Sequence, residues 1–209
     1  LIPTLHRTVM PERFVEHYGG GTWFKSAFLH TFTFLALSFL LVNPPFGDIA
    51  APELASKWTV VTDDGEDITY PVDMATSGST LTWFTDGSPV LAGDAWLLFG
   101  LMDNVNSDGA VVEVTREYQA NVTVLEENVS YWTNEFQRIQ NGTVDDPANN
   151  SVPNLTPHGE LDQPFSIHLG SNLGEGTHKI TVIITEQGDP WENVQSYTWN
   201  LVVTSEVTA

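Results

Sequence analysis

The sequence predicts an all-β ectodomain, residues 57–209, carried on a single N-terminal transmembrane helix, residues 23–43. Two observations support this fold class. Residues 27–42 form an apolar run without Asp, Glu, Lys or Arg, and a helix of about 20 residues covers the roughly 30 Å of a bilayer's hydrocarbon core. After residue 52, short β-branched and aromatic runs alternate with turn-forming pairs, which is typical of strands joined by tight turns; the pairs are Asp64-Gly65, Asp86-Gly87, Gly93-Asp94 and Asp108-Gly109. Within residues 177–185 the alternation predicts that Ile180, Val182 and Ile184 share one face of a strand and that Thr181, Ile183 and Thr185 share the other.

The charges that flank the apolar run predict its orientation. The residues before it include three bases, Arg7, Arg13 and Lys25, whereas residues 44–56 contain neither Lys nor Arg. Because Lys and Arg are enriched on the cytoplasmic side of a membrane, we expect residues 1–22 to form a cytoplasmic arm. Residues 44–56 would then be a linker, and the domain that follows would lie outside the cell membrane. The alternative is a cleaved secretory signal, although its apolar core usually has only about 7–15 residues.

Glycine and proline predict the ends of the helix. The three glycines at 19–21 predict a break before the span, after one or two helical turns within residues 8–18. Pro44 and Pro45 predict its end, because proline lacks the amide hydrogen that continues a helix.

Three polar side chains inside the span, His30, Thr33 and Ser38, predict helix–helix contact. Such groups cost less free energy when they hydrogen-bond to a neighbouring helix than when they face lipid. The alternative for His30 is snorkelling towards the inner membrane interface. The predicted partners are therefore the lipid bilayer and integral membrane or cell-surface proteins.

Acidic residues dominate the predicted ectodomain. The chain carries a net charge of −20, and residues 57–209 hold 23 acidic and four basic side chains. Such a surface repels nucleic acid, so we exclude a DNA or RNA partner. It is typical of salt-rich surroundings and favours a halophilic microbe, such as an archaeon; the alternative is an ordinary acidic secreted surface. The chain has no cysteine, which excludes thiol catalysis and thiolate metal sites.

The last two predicted strands resemble a known class of surface module. Residues 174–182 (GEGTHKITV) and 197–203 (YTWNLVV) are similar to the closing strands of immunoglobulin-like and PKD-like β-sandwiches. The resemblance implies a sandwich architecture and no particular activity. Residues 126–164 exceed what one simple sandwich needs, so we expect an insertion there, with a short helix within 126–140.

Two sets of residues predict modification or metal binding. Five N-glycosylation sequons begin at Asn121, Asn128, Asn141, Asn149 and Asn154; the alternative is polar loops with accidental sequons. Asn104, Asn106 and Asp108 alternate like the oxygen ligands of a calcium loop, but Thr115 stands where an EF-hand has its last acid. An ordinary Asn/Asp/Gly turn is the alternative. We expect His168 and His178 on neighbouring strands without a metal.

The combined pattern predicts a non-enzymatic protein with no cofactor other than calcium. We expect an accessory or structural subunit of a membrane or cell-surface assembly, with an ectodomain that contacts other proteins. No hydrolase, phosphate-binding or haem-attachment motif is present in the sequence. Two alternatives remain: a membrane-anchored carbohydrate-binding module, which needs a row of exposed tryptophans, and a glycan-acting hydrolase, which needs acids clustered in a cleft.

Overall fold

The computed structural model describes residues 4, 8–9, 11–43, 46–103, 109–144, 152–189 and 191–206. The chain divides into two compact units, Leu1–Asp48 and Ile49–Ala209. We refer to the second as the β unit. The first unit contains helix α1, Glu12–Val15, and helix α2, Gly20–Leu41.

Helix α2 is long and apolar enough to cross a membrane. It begins at Gly20, directly after the extended N-cap residue Gly19. Of the three glycines expected to break the helix, only Gly19 is therefore non-helical, and Gly20 and Gly21 belong to α2. At the other end the amide of Val42 still donates to the Ser38 carbonyl, and the Asn43 side chain donates to the Phe39 carbonyl at 2.6 Å. Pro44 and Pro45, the predicted helix terminator, lie outside the described residues.

The described residues of the β unit form two short α-helices, α3, Val129–Asn134, and α4, Phe136–Gln140, a 3-10 helix, Gly159–Leu161, and ten strands. The strands are β1 Glu53–Asp63, β2 Ile68–Tyr70, β3 Thr80–Phe84, β4 Val90–Met102, β5 Val111–Tyr118, β6 Asn121–Leu125, β7 Thr143–Val144, β8 Gln163–Gly174, β9 Gly176–Glu186 and β10 Asn193–Thr204. The two helices lie within residues 126–140, so the prediction of helix in this segment is confirmed.

The strands form two five-stranded sheets. The first has the order β7-β2-β1-β4-β8 and the second the order β3-β10-β9-β5-β6. Neighbours are antiparallel except for two parallel pairs at sheet edges, β2 with β7 and β3 with β10. The prediction of a mostly β domain is therefore confirmed.

The two sheets share one hydrophobic core. It is built from alternate residues of the strands, such as Ile180, Val182 and Ile184 on β9, all fully buried. Trp58 of the first sheet stacks on Trp199 of the second, with ring centroids 4.8 Å apart. Burial of this many large apolar side chains is the main stabilising contribution to the β unit.

A second core covers the outer face of the first sheet. Residues of α3 and α4, together with residues 152–155, pack there against side chains of β1, β2 and β4. We call residues 129–140 and 152–155 the cover layer. Gly100 of β4 permits the close approach of this layer, because a Cβ at that position would lie 2.4 Å from the Leu155 carbonyl oxygen.

Two local expectations are wrong. Gly93 and Asp94, read as a turn, lie inside β4 at a bulge; Gly93 has φ of 86°, and a Cβ there would lie 2.9 Å from the Asp63 carbonyl oxygen. His168 and His178 do not lie on neighbouring strands of one sheet, because β8 belongs to the first sheet and β9 to the second.

Candidate interaction surfaces

An ionic cluster fastens the cover layer to the first sheet. Arg138 of α4 donates to the Asp63 carboxylate through both terminal nitrogens, at 3.1 and 2.5 Å. The same carboxylate accepts from the Tyr131 hydroxyl at 2.9 Å and the Gly65 amide at 2.8 Å. Burial alone would raise the pKa of Asp63, but the Arg138, Gly65 and Tyr131 hydrogen bonds outweigh it and lower the pKa. Asp63 therefore stays ionised and holds the layer in place.

The described sequon asparagines are all exposed, and three of them border the cover layer. Asn128 caps α3 through its side-chain oxygen, which accepts from the Tyr131 amide; Asn141 follows α4; and Asn154 lies next to the buried Leu155. Asn121 begins β6 in the second sheet, and Asn149 lies outside the described residues. Glycans on the three border positions would surround the cover layer.

The tryptophans do not form the exposed row that a carbohydrate-binding module needs. Five tryptophans of the β unit are buried, namely Trp58, Trp83, Trp96, Trp132 and Trp199, with exposed fractions of 0–9%. Trp191 is 56% exposed. A single ring offers one stacking position and no extended platform for a sugar chain.

A cavity of about 610 Å³ lies where the cover layer meets β8. Its lining includes Glu126, Glu127, Trp96 and His168. Burial raises the pKa of Glu127, which is a property of a general acid, and its chain neighbour Glu126 is the other carboxylate of the described lining. Both acids belong to one segment of the chain, whereas the two carboxylates of a glycosidase flank the scissile bond.

A smaller cavity of about 310 Å³ is lined by three acids, Asp64, Asp67 and Asp86. Asp64 accepts hydrogen bonds from the amides of Glu66 and Asp67, at 2.9 and 2.8 Å, and the bond from Asp67 is the largest cause of its lowered pKa. Asp64 is fixed as the acceptor of a tight turn, so it is poorly suited to give a proton to a leaving group.

No described element of the β unit covers the outer face of the second sheet, and we call this face the open face. None of its outward residues on β3, β5, β6, β9 and β10 is buried. The large apolar side chains exposed on it, with exposed fractions from 37% to 74%, are Val111, Val122, Val124, Ile183 and Val194. Strand register makes the face continuous, because Glu113 pairs with Ile183 across β5 and β9, and Thr185 pairs with Val194 across β9 and β10.

The open face carries little charge. Glu113, Glu117 and Lys179 are its only charged outward residues, and Lys179 lies 3.7 Å from Glu117 in an exposed ion pair. Threonine is the commonest residue at the other outward positions. The open face has only one more acid than base, although the domain as a whole is strongly acidic. A nearly uncharged sheet face with exposed apolar side chains is typical of an interaction site.

The predicted contact residues of helix α2 do not all share one face. Successive residues of an α-helix are rotated by about 100°, which places His30 and Thr33 about 60° apart but Ser38 about 140° from Thr33. Ser26 lies about 40° from His30 and on the same side as Thr33. The helix thus groups His30 and Thr33 with Ser26, a residue the sequence interpretation did not include, although its spacing of four from His30 was readable.

The predicted calcium ligands Asn104, Asn106 and Asp108 lie outside the described residues. Asp103, immediately before them, is described, and a carboxylate oxygen of Asp103 lies within 4.8 Å of one of Glu186. His178 is buried with its ring stacked on Tyr118, centroids 4.1 Å apart, and His168 lies 3.4 Å from Asp94. Neither histidine belongs to a group of metal-ligating side chains among the residues described.

No protein-family model matches this chain, and no curated protein matches it. The geometry of the open face and of helix α2 therefore carries the functional interpretation.

Proposed function

We propose that this chain is a non-enzymatic, single-span subunit of a cell-surface membrane assembly. In this proposal helix α2 crosses the membrane, residues 1–22 lie in the cytoplasm, and the β unit is an immunoglobulin-like β-sandwich outside. The open face binds a protein partner there. The observation that carries the proposal is the contrast between the two outer sheet faces, since a second core covers much of one and the other presents exposed Val and Ile side chains.

The distribution of sequons also supports the open face as the surface that binds the partner. Asn128, Asn141 and Asn154 border the cover layer, and a glycan there leaves the open face accessible. Asn121, the other described sequon, begins the edge strand β6 and alternates there with the outward Val122. Charge supports the same side as well, because the strongly acidic domain repels other acidic surfaces least where its own charge is lowest.

The carbohydrate-binding alternative is less favourable because five of the six tryptophans in the β unit are buried. The hydrolase alternative needs a general acid and a second carboxylate flanking one cleft. The smaller cavity does collect three acids, but Asp64 there is the acceptor of a tight turn with a lowered pKa, and the two acids of the larger cavity are consecutive in the chain. Protein contact is therefore the function that fits these surfaces best.

The test compares native mass after mild-detergent extraction for three chains. Ile183→Arg places a charge on the open face, and Gln137→Arg makes the same charge change on the exposed side of α4. We expect wild type and Gln137→Arg to elute as a complex of the same mass and Ile183→Arg to elute at a lower mass, with unchanged thermal midpoints. A complex of unchanged mass in Ile183→Arg would refute the open face as the contact, and a monomeric wild type would refute the subunit role.

Orientation is tested by protease added to intact cells. We expect the β unit to be degraded while an epitope placed before Leu1 stays protected, because only external chain is accessible. Protection of the β unit with loss of the epitope would overturn the proposed topology.

A further inference from the structure

We propose that helix α2 pairs in parallel with a second copy of itself, along a seam formed by Ser26, His30, Thr33 and Leu37. This inference rests on the proposed membrane insertion and names one partner of the assembly. It is carried by the spacing of these residues, by their hydrogen-bonding chemistry and by the position of the charged residue in the helix.

The seam residues follow a spacing of four, three and four. At about 100° per residue they fall within an arc of about 60°. This is the repeat with which two helices pack at a small left-handed crossing angle. All four residues are exposed, as is most of α2, so spacing and side-chain chemistry distinguish the seam from the rest of the helix.

The opposite side of α2 is aromatic. Phe28 and Phe32 stack with ring centroids 6.4 Å apart, and Phe28 lies about 160° around the helix from His30. Leu35 extends the same side towards the end of the helix. Large apolar side chains are suited to lipid, whereas small and polar ones permit close helix approach and interhelical hydrogen bonds.

The polar groups of the seam are self-complementary. Serine and threonine hydroxyls each donate and accept, and a neutral imidazole has one N–H donor and one nitrogen acceptor. In a parallel two-fold pair each residue meets its own counterpart at the same depth, so Ser26, His30 and Thr33 each have a matching partner. A seam of lysine or aspartate would repel its own copy.

The only Lys, Arg, Asp or Glu in α2, Lys25, lies away from the seam. Helix geometry places it at least about 80° from each seam residue. Two copies can therefore approach along the seam without bringing the two ammonium groups face to face. This position favours a second copy over an acidic partner helix, which would need a base on the contact side.

Single-cysteine disulfide formation in the full-length chain in membranes tests the proposal, since the chain contains no cysteine of its own. We compare Ser26→Cys and Leu37→Cys on the seam with Phe28→Cys and Leu35→Cys on the aromatic side. Each control lies two residues, or about 3 Å in depth, from its seam counterpart. Because a disulfide requires Cα atoms within about 7 Å, we expect at least about fivefold more disulfide dimer at the seam positions.

The polar chemistry is tested in the Leu37→Cys background. We expect His30→Leu to reduce the disulfide dimer about threefold or more, as loss of an interhelical hydrogen bond predicts, and Phe32→Leu, on the lipid side, to leave it unchanged. Equal yields from His30→Leu and Phe32→Leu would overturn the role of the imidazole. Equal yields from seam and aromatic-side cysteines would overturn the seam.

Failure of the inference is distinguishable from failure of the proposed function. If no cysteine position forms a dimer while extraction still gives a larger complex, the partner at α2 is a different protein and the self-pairing is refuted. If extraction gives a monomer as well, the subunit role is refuted with it.

Discussion

Replacing Arg138 with methionine tests whether the ionic cluster holds the cover layer on the first sheet. Methionine keeps an unbranched apolar chain but removes both bonds to Asp63, together with the donation from Arg138 Nη1 to Glu135 at 2.9 Å and from Nε to the Glu66 carbonyl at 3.2 Å. The side chains of Arg138 and Asp63 are 30% and 12% exposed, so this ion pair is intermediate between a fully exposed pair and a fully buried one.

The expected loss in the free energy of unfolding depends on the hydrogen bonds that Asp63 retains in Arg138→Met. Exposed ion pairs contribute about 0–1 kcal/mol, and removing one partner of a buried pair costs about 3–5 kcal/mol. In Arg138→Met the Asp63 carboxylate retains the Gly65 and Tyr131 hydrogen bonds, so the charge is not left without donors. We therefore expect a loss of about 2 kcal/mol in the free energy of unfolding.

Glu135→Gln is the matched control. Glu135 binds the same guanidinium from the preceding turn, with 30% of its side chain exposed, and its loss should cost about 0.5 kcal/mol or less. Urea denaturation followed by tryptophan fluorescence is a suitable assay, because Trp96 stacks on Tyr131 at the cover layer with centroids 3.7 Å apart. An Arg138→Met cost no larger than that of Glu135→Gln would refute the reasoning.

Three further outcomes are expected. Gly100→Ala should cost about 1–3 kcal/mol, because its Cβ would meet the Leu155 carbonyl, while Gly109→Ala, which meets nothing within 4 Å, should be nearly neutral in the same urea titration. Burial of His178 lowers its pKa, and the positive charge of Arg116 lowers it further. The hydrogen bond to the Gly174 carbonyl raises the pKa but does not offset these effects. The unfolded chain therefore takes up the proton first, so stability should fall as pH drops through about 6.5, and His178→Leu should flatten that dependence between pH 7 and 5; an equal slope in both proteins would contradict this. Salt should raise the thermal midpoint of the β unit, since the Debye length falls from about 10 Å at 0.1 M to about 3 Å at 1 M, and an unchanged midpoint would argue against charge repulsion as a destabilising contribution.

The sequence was most informative where one periodicity dominated. On β9 the alternation assigned Ile180, Val182 and Ile184 to one face, and all three are in the core. Strands β2 and β7, with three and two residues, are too short for any period to be visible. Gly93 was misread because its positive φ serves a bulge beside Asp63, a contact 30 positions away that no local pattern reports.

The open face could be predicted only in part. Alternation on β9 also grouped Thr181, Ile183 and Thr185, but it does not indicate which face of a sheet another element will cover. That depends on the cover layer, which reaches the first sheet through long-range contacts such as Arg138 with Asp63. The polar side of α2, by contrast, depends only on helix geometry, so Ser26 was accessible from spacing alone.

Charge connects the two proposed contacts. With 23 acidic and four basic residues in positions 57–209, two copies of the β unit repel each other, and at 0.1 M ionic strength that repulsion extends over about 10 Å. A helix pair that brings two such units together is opposed least when the surfaces between them carry few charges. The open face has Glu113, Glu117 and Lys179 as its only charged outward groups, and Lys179 already lies near Glu117. The proposed self-pairing of α2 would have to supply more association free energy within the membrane than this repulsion costs outside it, and the low charge of the open face keeps that electrostatic cost smallest for a partner bound there.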